Sequence, residues 1–182
     1  MRWFPLFILA YLIVGIQFGA GSFLRIGSGQ PPNLALLAVA FIAINAPTPA
    51  AIVGGIVIGL FQDLTTGQPP GLYAFSYGLF ASVVSRWRWL PPRGNPITQV
   101  IVAFTGAMLT AMVLYLQGVV HPAAAAHATP GGPAVAAVRA SPGPLCLAAL
   151  YTTALAPIVM GLLHLTRPIF AFAPRGRRRF SL

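Results

Sequence analysis

From Gly55 to Tyr77 the chain reads G-I-V-I-G-L-F-Q-D-L-T-T-G-Q-P-P-G-L-Y-A-F-S-Y, and this stretch holds its one acidic residue, Asp63. Gly55, Gly59 and Asp63 recur every four residues, which on a helix puts them on a single face. Gly67, Pro69, Pro70 and Gly71 then break the chain before a second helix opens at Leu72. The unit is therefore two helices joined by a short break, with two glycines and the acid on one face of the first, where a neighbouring backbone could approach closely. Apolar runs punctuated in the same way recur outward from it in both directions.

Of the 182 residues, 57% are hydrophobic and only 7% are charged, against roughly 25% charged in soluble domains. With a mean hydropathy of +0.81, this is more apolar surface than a soluble fold of this length can enclose. The expectation is an all-α integral membrane protein, about six helices in one bundle and one transmembrane domain over residues 1–182. The expected helices cover residues 3–19, 34–44, 50–64, 72–85, 97–119 and 145–165. The second, third and fourth are short for a bilayer, which needs about 20 residues.

Punctuation between the helices follows the usual chemistry. Gly27, Gly29, Pro31 and Pro32 end the first segment, and Asn33 is placed to cap the second helix. Residues 45–49, Asn-Ala-Pro-Thr-Pro, read as a turn. Residues 121–144, rich in Ala, Pro and Gly, read as a flexible external loop. Residues 167–182 read as a basic tail. In the first segment Gly15 and Gly19 form a G-x-x-x-G pair suited to close helix packing. Its basic start, apolar centre and the small residues Gly19, Ala20 and Gly21 also resemble a cleaved signal peptide, although the segment is long for one.

The net charge of +10 is carried by arginine alone. The arginines lie between apolar segments and at the ends, not along a stripe with interleaved aromatics, so nucleic acid is not the expected partner. With six spans, Arg2, Arg86, Arg88, Arg93, Arg167, Arg175, Arg177, Arg178 and Arg179 fall on one side. Only Arg25 and Arg139 fall on the other. The excess of cytoplasmic positive charge then places both termini in the cytoplasm. Arg86, Trp87, Arg88, Trp89 and Arg93 form a headgroup-level anchor, and the Arg175–Arg179 cluster suits anionic lipid or a cytoplasmic filament, lipid being the simpler choice.

A single carboxylate excludes mechanisms built on paired acids, and the absence of lysine excludes a Walker A loop. No G-x-S-x-G elbow is present. His121 and His127 fall in the expected external loop and His164 near the opposite surface, so no shared metal is expected. Cys146 stands alone in an apolar run and reads as a packing or lipid-phase residue. No cofactor is implied, and the chain reads as an interaction subunit in preference to an enzyme.

Two roles are open to Asp63. An acid inside a span costs about 2.5–3.5 kcal/mol on insertion scales and tends to face protein or water, so the glycine face is a candidate contact for a partner. Alternatively the carboxylate ends its helix near the surface and caps the next one, because at its own C-terminus it opposes the helix dipole. Tyr73, Ser76 and Tyr77 lie at i, i+3 and i+4 and are able to present hydroxyls to the same region. Their ordinary role would be packing and interfacial contact.

At this segment the sequence resembles the rod shape-determining protein MreD family. The matching pattern is Gly59, Leu60, Asp63 and Leu64, then Gly67, Pro70, Gly71, Leu72, Ala74 and Tyr77. Upstream, Pro32, Asn33, Leu34, Leu36 and Leu37 repeat a further family feature, with Asn33 where an aspartate is common. The resemblance is specific over residues 32–77 and otherwise rests on hydropathy. It implies a non-catalytic inner-membrane member of the cell-elongation machinery that associates with MreC and works with MreB, RodA and a class B penicillin-binding protein. It also implies a fold like that of the substrate-binding subunits of energy-coupling-factor vitamin transporters. A small-molecule transport subunit is accordingly the rival reading.

Overall fold

The computed structural model describes residues 3–19, 32–66, 70–87, 95–120 and 142–165. Among these, every regular element is a helix: α1 Trp3–Gly19, α2 Leu34–Asn45, α3 Thr48–Thr66, α4 Leu72–Arg86, α5 Pro96–Val120 and α6 Pro142–Leu165. The loop core around His121 and His127, the Arg175–Arg179 tail, Gly67, Trp89 and all the arginines except Arg86 lie outside the described residues.

Every helix after α1 runs one to three residues past its expected bounds, and two of these places change a turn. The turn expected over 45–49 is tighter, because Asn45 still belongs to α2 and α3 already begins at Thr48. Pro49 thus falls in the first turn of α3, where its missing N–H leaves no bond unmade. Similarly, residues 142–144, expected in the external loop, are the first turn of α6, with Pro142 in the leading position that its fixed φ suits. Asn95 performs the corresponding service for α5 by accepting the Ile97 N–H at 3.0 Å.

Helix α2 occupies the centre, in contact with α1, α3, α4, α5 and α6. Every one of its residues from Ala35 to Asn45 is buried. Its sequence, L-A-L-L-A-V-A-F-I-A-I-N, is apolar on all sides, as a helix enclosed on all sides must be. At about 1.5 Å per residue it is only about 18 Å long, less than the roughly 30 Å hydrocarbon core. Thr48–Thr66, Pro96–Leu116 and Cys146–Leu165 are long and apolar enough to cross a membrane, while Phe7–Gly19 and Leu34–Asn45 are shorter apolar helices. The outer surface is apolar too, with Tyr11, Leu12, Ile97, Met112, Leu147, Ile158 and Leu162 exposed. In water that surface would be a liability, whereas lipid accepts it.

The closest packing joins α3 to α4. A Cβ on Gly59 would fall on the Ala74 backbone, 2.5 Å from its amide nitrogen, and one on Gly55 would lie 2.7 Å from the Tyr77 carbonyl oxygen. From the other helix, a Cβ on Gly78 would lie 2.8 Å from Ile56 Cγ1. The expectation that the Gly55/Gly59 face receives a separate membrane protein is therefore corrected. That face is occupied by the chain's own α4, and no space remains for a second helix. Gly15 and Gly19 behave oppositely. Nothing lies within 4 Å of a Cβ at either, so this pair packs against no described helix of the chain.

Candidate functional site

Buried polar groups gather where α1 and α3 end and α2 and α4 begin. Asp63 sits in the last turns of α3, 4% exposed. Its Oδ1 accepts the Tyr73 N–H at 2.9 Å, and its Oδ2 accepts those of Gly71 at 3.0 Å and Ala74 at 3.2 Å. These are N–H groups that the first turn of a helix cannot satisfy internally. Gly71, the residue in N-cap position, has φ +98° and offers no side-chain cap. That left-handed backbone suits glycine, and the missing cap is supplied from eight residues upstream. The negative charge also meets the positive end of the α4 dipole. Of the two roles open to Asp63, the structure selects the cap, and the Gly55/Gly59 contact brings α4 close enough for it.

The start of α2 is fastened in a parallel way. Asn33 Oδ1 accepts the Leu36 N–H at 3.0 Å, so the expected cap is present. The same oxygen accepts the Tyr77 hydroxyl of α4 at 2.9 Å. Asn33 also donates its backbone N–H to Thr152 Oγ1 on α6 at 3.0 Å, and Thr152 in turn donates to the Ala148 carbonyl at 2.8 Å. Gln17 of α1 accepts the Ala35 N–H through Oε1 at 3.0 Å. Three amides at the start of this buried helix, those of Asn33, Ala35 and Leu36, are thus matched by side chains from α6, α1 and the cap residue Asn33 itself. Without water each would cost several kcal/mol in lipid.

The three α4 hydroxyls do not converge as the spacing suggested. Ser76 turns back to the Leu72 carbonyl at 2.9 Å, the usual outlet for a serine inside a helix. Tyr77 is fully buried and goes to Asn33, and Tyr73 packs edge-on against it with ring centroids 5.6 Å apart. Pro70 lies exposed in the turn. Gln17, Gln62 and Thr152 were not singled out from the sequence, although a glutamine inside an apolar run is itself a signal of a buried polar contact. Gln62 is 1% exposed, and both polar atoms of its amide lack a hydrogen-bond partner among the described residues.

Among the described residues no three histidine, cysteine or acidic side chains come together to hold a metal. His164 lies in the last turn of α6, its ring edge-on to Phe41 at 5.3 Å, toward the other end of α2. Cys146 is exposed on α6. The groups that do meet are amides, hydroxyls and one carboxylate, and their hydrogen bonds fasten one helix to the next.

An apolar exterior, helices long enough to cross a bilayer and a buried polar seam that joins helices define a helical membrane protein. The chain belongs to the MreD family: the model described as rod shape-determining protein MreD matches residues 1–166, well beyond the 32–77 segment that carries the specific motif. It is accordingly a cell-shape-determining membrane protein. No similar curated protein and no similar solved structure was found.

Proposed function

We propose that this chain is the multi-pass inner-membrane subunit of the bacterial cell-elongation complex, that it binds MreC, and that it helps organise lateral peptidoglycan synthesis without catalysing a step. MreB, RodA and a class B penicillin-binding protein complete the assembly in this reading, with membrane lipid around it. The six helices are six spans, both termini are cytoplasmic, and the seam around Asp63 and Asn33 faces the periplasm. The arginine bias along the sequence supports that orientation. Sharing a fold with the substrate-binding subunits of energy-coupling-factor transporters is part of the same proposal.

The observation that carries the partner assignment is the contrast between the two glycine pairs. Gly55 and Gly59 are consumed inside the chain, whereas Gly15 and Gly19 leave an open strip on an exposed helix face beside Tyr11, Leu12 and Ile16. Small residues flanked by bulky ones let a second transmembrane helix approach closely, and close packing is the main source of affinity in lipid. The membrane-anchoring helix of MreC is the proposed occupant. Co-purification tests it: Gly15→Leu with Gly19→Leu should lose most of the recovered MreC, while Leu162→Ala on the far side of the bundle should not. Undiminished recovery from the glycine variant would remove this face from the proposal.

A small-molecule transport subunit draws support from one feature, the buried and unpartnered amide of Gln62. A vitamin-type compound retained through purification, and lost on Gln62→Leu, would favour that reading over the scaffold.

A further inference from the structure

Among the described helices, α6 touches only α5 and α2. Part of that contact is a small apolar cluster of Leu37 of α2, Ala103 of α5 and Ala156, flanked by Leu34, Leu155 and Val159, while Ala149, Met160 and Leu163 join the main core. The large side chains among these, Met160 and Leu163, lie after Pro157, whereas before it the buried apolar residues of α6 are alanines, so the dispersion and burial holding that half are small.

Three features weaken α5 and α6 at one level. Pro157 lies inside the helix and cannot donate to the Thr153 carbonyl. Thr152 and Thr153 both turn their hydroxyls back to carbonyls four residues earlier, at 2.8 and 2.7 Å, an arrangement that bends helices. Because Ala103 faces Ala156 and the two helices run antiparallel, Gly106 of α5 comes level with Thr153. A Cβ on Gly106 would lie 2.7 Å from the Phe80 ring, which explains the glycine and leaves α5 easier to bend at that point.

Beyond this level the hairpin has little to hold it. The buried side chains described there are Ala107, Thr110, Leu114, Ala149, Thr152, Thr153 and Ala156, with Leu114 the one large apolar group among them. Thr110 Oγ1 is buried with no hydrogen-bond partner among the described residues, which raises the energy of the closed position. The polar tie is the bond from the Asn33 N–H to Thr152, and Asn33 is itself held by Tyr77.

We propose that α5 after Gly106 and α6 before Pro157 form a hinged arm, and that the Asn33–Thr152 hydrogen bond is the catch that holds it against α2. Opening breaks that bond, relieves Thr110 and uncovers the first turn of α2. The device links an arm at one end of the bundle to the seam in which α4 and α2 are fastened, and it stands apart from the α1 face assigned to a partner.

Cys146, exposed on the arm, and a cysteine introduced as Leu64→Cys at the exposed end of α3 provide two spin-label sites near the same end of the bundle. Distance distributions between them, recorded on the full chain in lipid nanodiscs, should show one main component in the wild-type background. Thr152→Val should add a longer component, and Thr152→Ser, which keeps the hydroxyl, should not. The longer component should also grow as the parent sample is warmed before freezing, and Pro157→Ala should suppress it in both backgrounds. This warming series needs no variant at Thr152. Either a distribution indifferent to Thr152→Val and to warming, or a longer component that persists undiminished in Pro157→Ala, overturns the proposal.

Discussion

Gly59→Ala adds one methyl group at the tightest point of the bundle, and the structure gives its consequence a magnitude. The new Cβ would lie 2.5 Å from the Ala74 nitrogen and 2.6 Å from the Tyr73 carbonyl carbon, against an optimum near 3.5–4.0 Å, so α4 has to retreat by about 1 Å. Both contacts are backbone, and no rotamer change relieves them. The same retreat pulls the Tyr73 and Ala74 N–H groups from Asp63, whose bonds at 2.9 and 3.2 Å have no slack. Overpacking costs about 1–3 kcal/mol, and losing one hydrogen bond to a charged group about 1.5–3 kcal/mol. Improved helix propensity returns about 1 kcal/mol. The net expectation is a loss of about 2–5 kcal/mol. Gly15→Ala and Gly161→Ala are the matched controls, since nothing lies within 4 Å of a Cβ at either; they should be neutral or gain up to about 1 kcal/mol. Unfolding in mild detergent titrated with a denaturing one, followed by circular dichroism, measures all three. If Gly59→Ala is as stable as Gly15→Ala, the claim that the glycine face is closed by α4 is wrong.

Further outcomes follow from the seam. Asp63→Asn keeps the shape but loses the charge and part of the acceptor capacity, and should cost about 1–3 kcal/mol in the same unfolding assay; Asp63→Leu, which leaves three N–H groups of α4 uncapped, should cost more. Tyr77→Phe removes the hydroxyl donated to Asn33 while Asn33 keeps its Leu36 contact, so a loss near 1 kcal/mol is expected, and a loss as large as that of Asp63→Leu would mean the ring packing had been misjudged. A reporter active only in the periplasm, fused after Leu182, should stay dark, and its activity would reverse the proposed orientation of the termini.

Much of this architecture is written in the one-dimensional pattern. Recurrent apolar runs separated by Gly and Pro dictate helices in lipid, because no other open-chain structure satisfies its own backbone there. The spacing of Gly55, Gly59 and Asp63 puts them on one face, and Asn33 ahead of an apolar run marks a helix start. The motif from Gly59 to Tyr77 carries the family. What the pattern does not contain is the identity of the neighbour. A glycine pair looks the same whether its groove is filled from within, as at Gly55 and Gly59, or left open, as at Gly15 and Gly19. An isolated acid looks the same whether it meets a partner or caps a helix. Gln17, Asn33 and Thr152 are far apart along the chain, and their meeting at one helix end depends on how five helices pack around α2. Local geometry follows from residue spacing, but the satisfaction of a buried polar group depends on groups brought from elsewhere, and only the tertiary fold brings them.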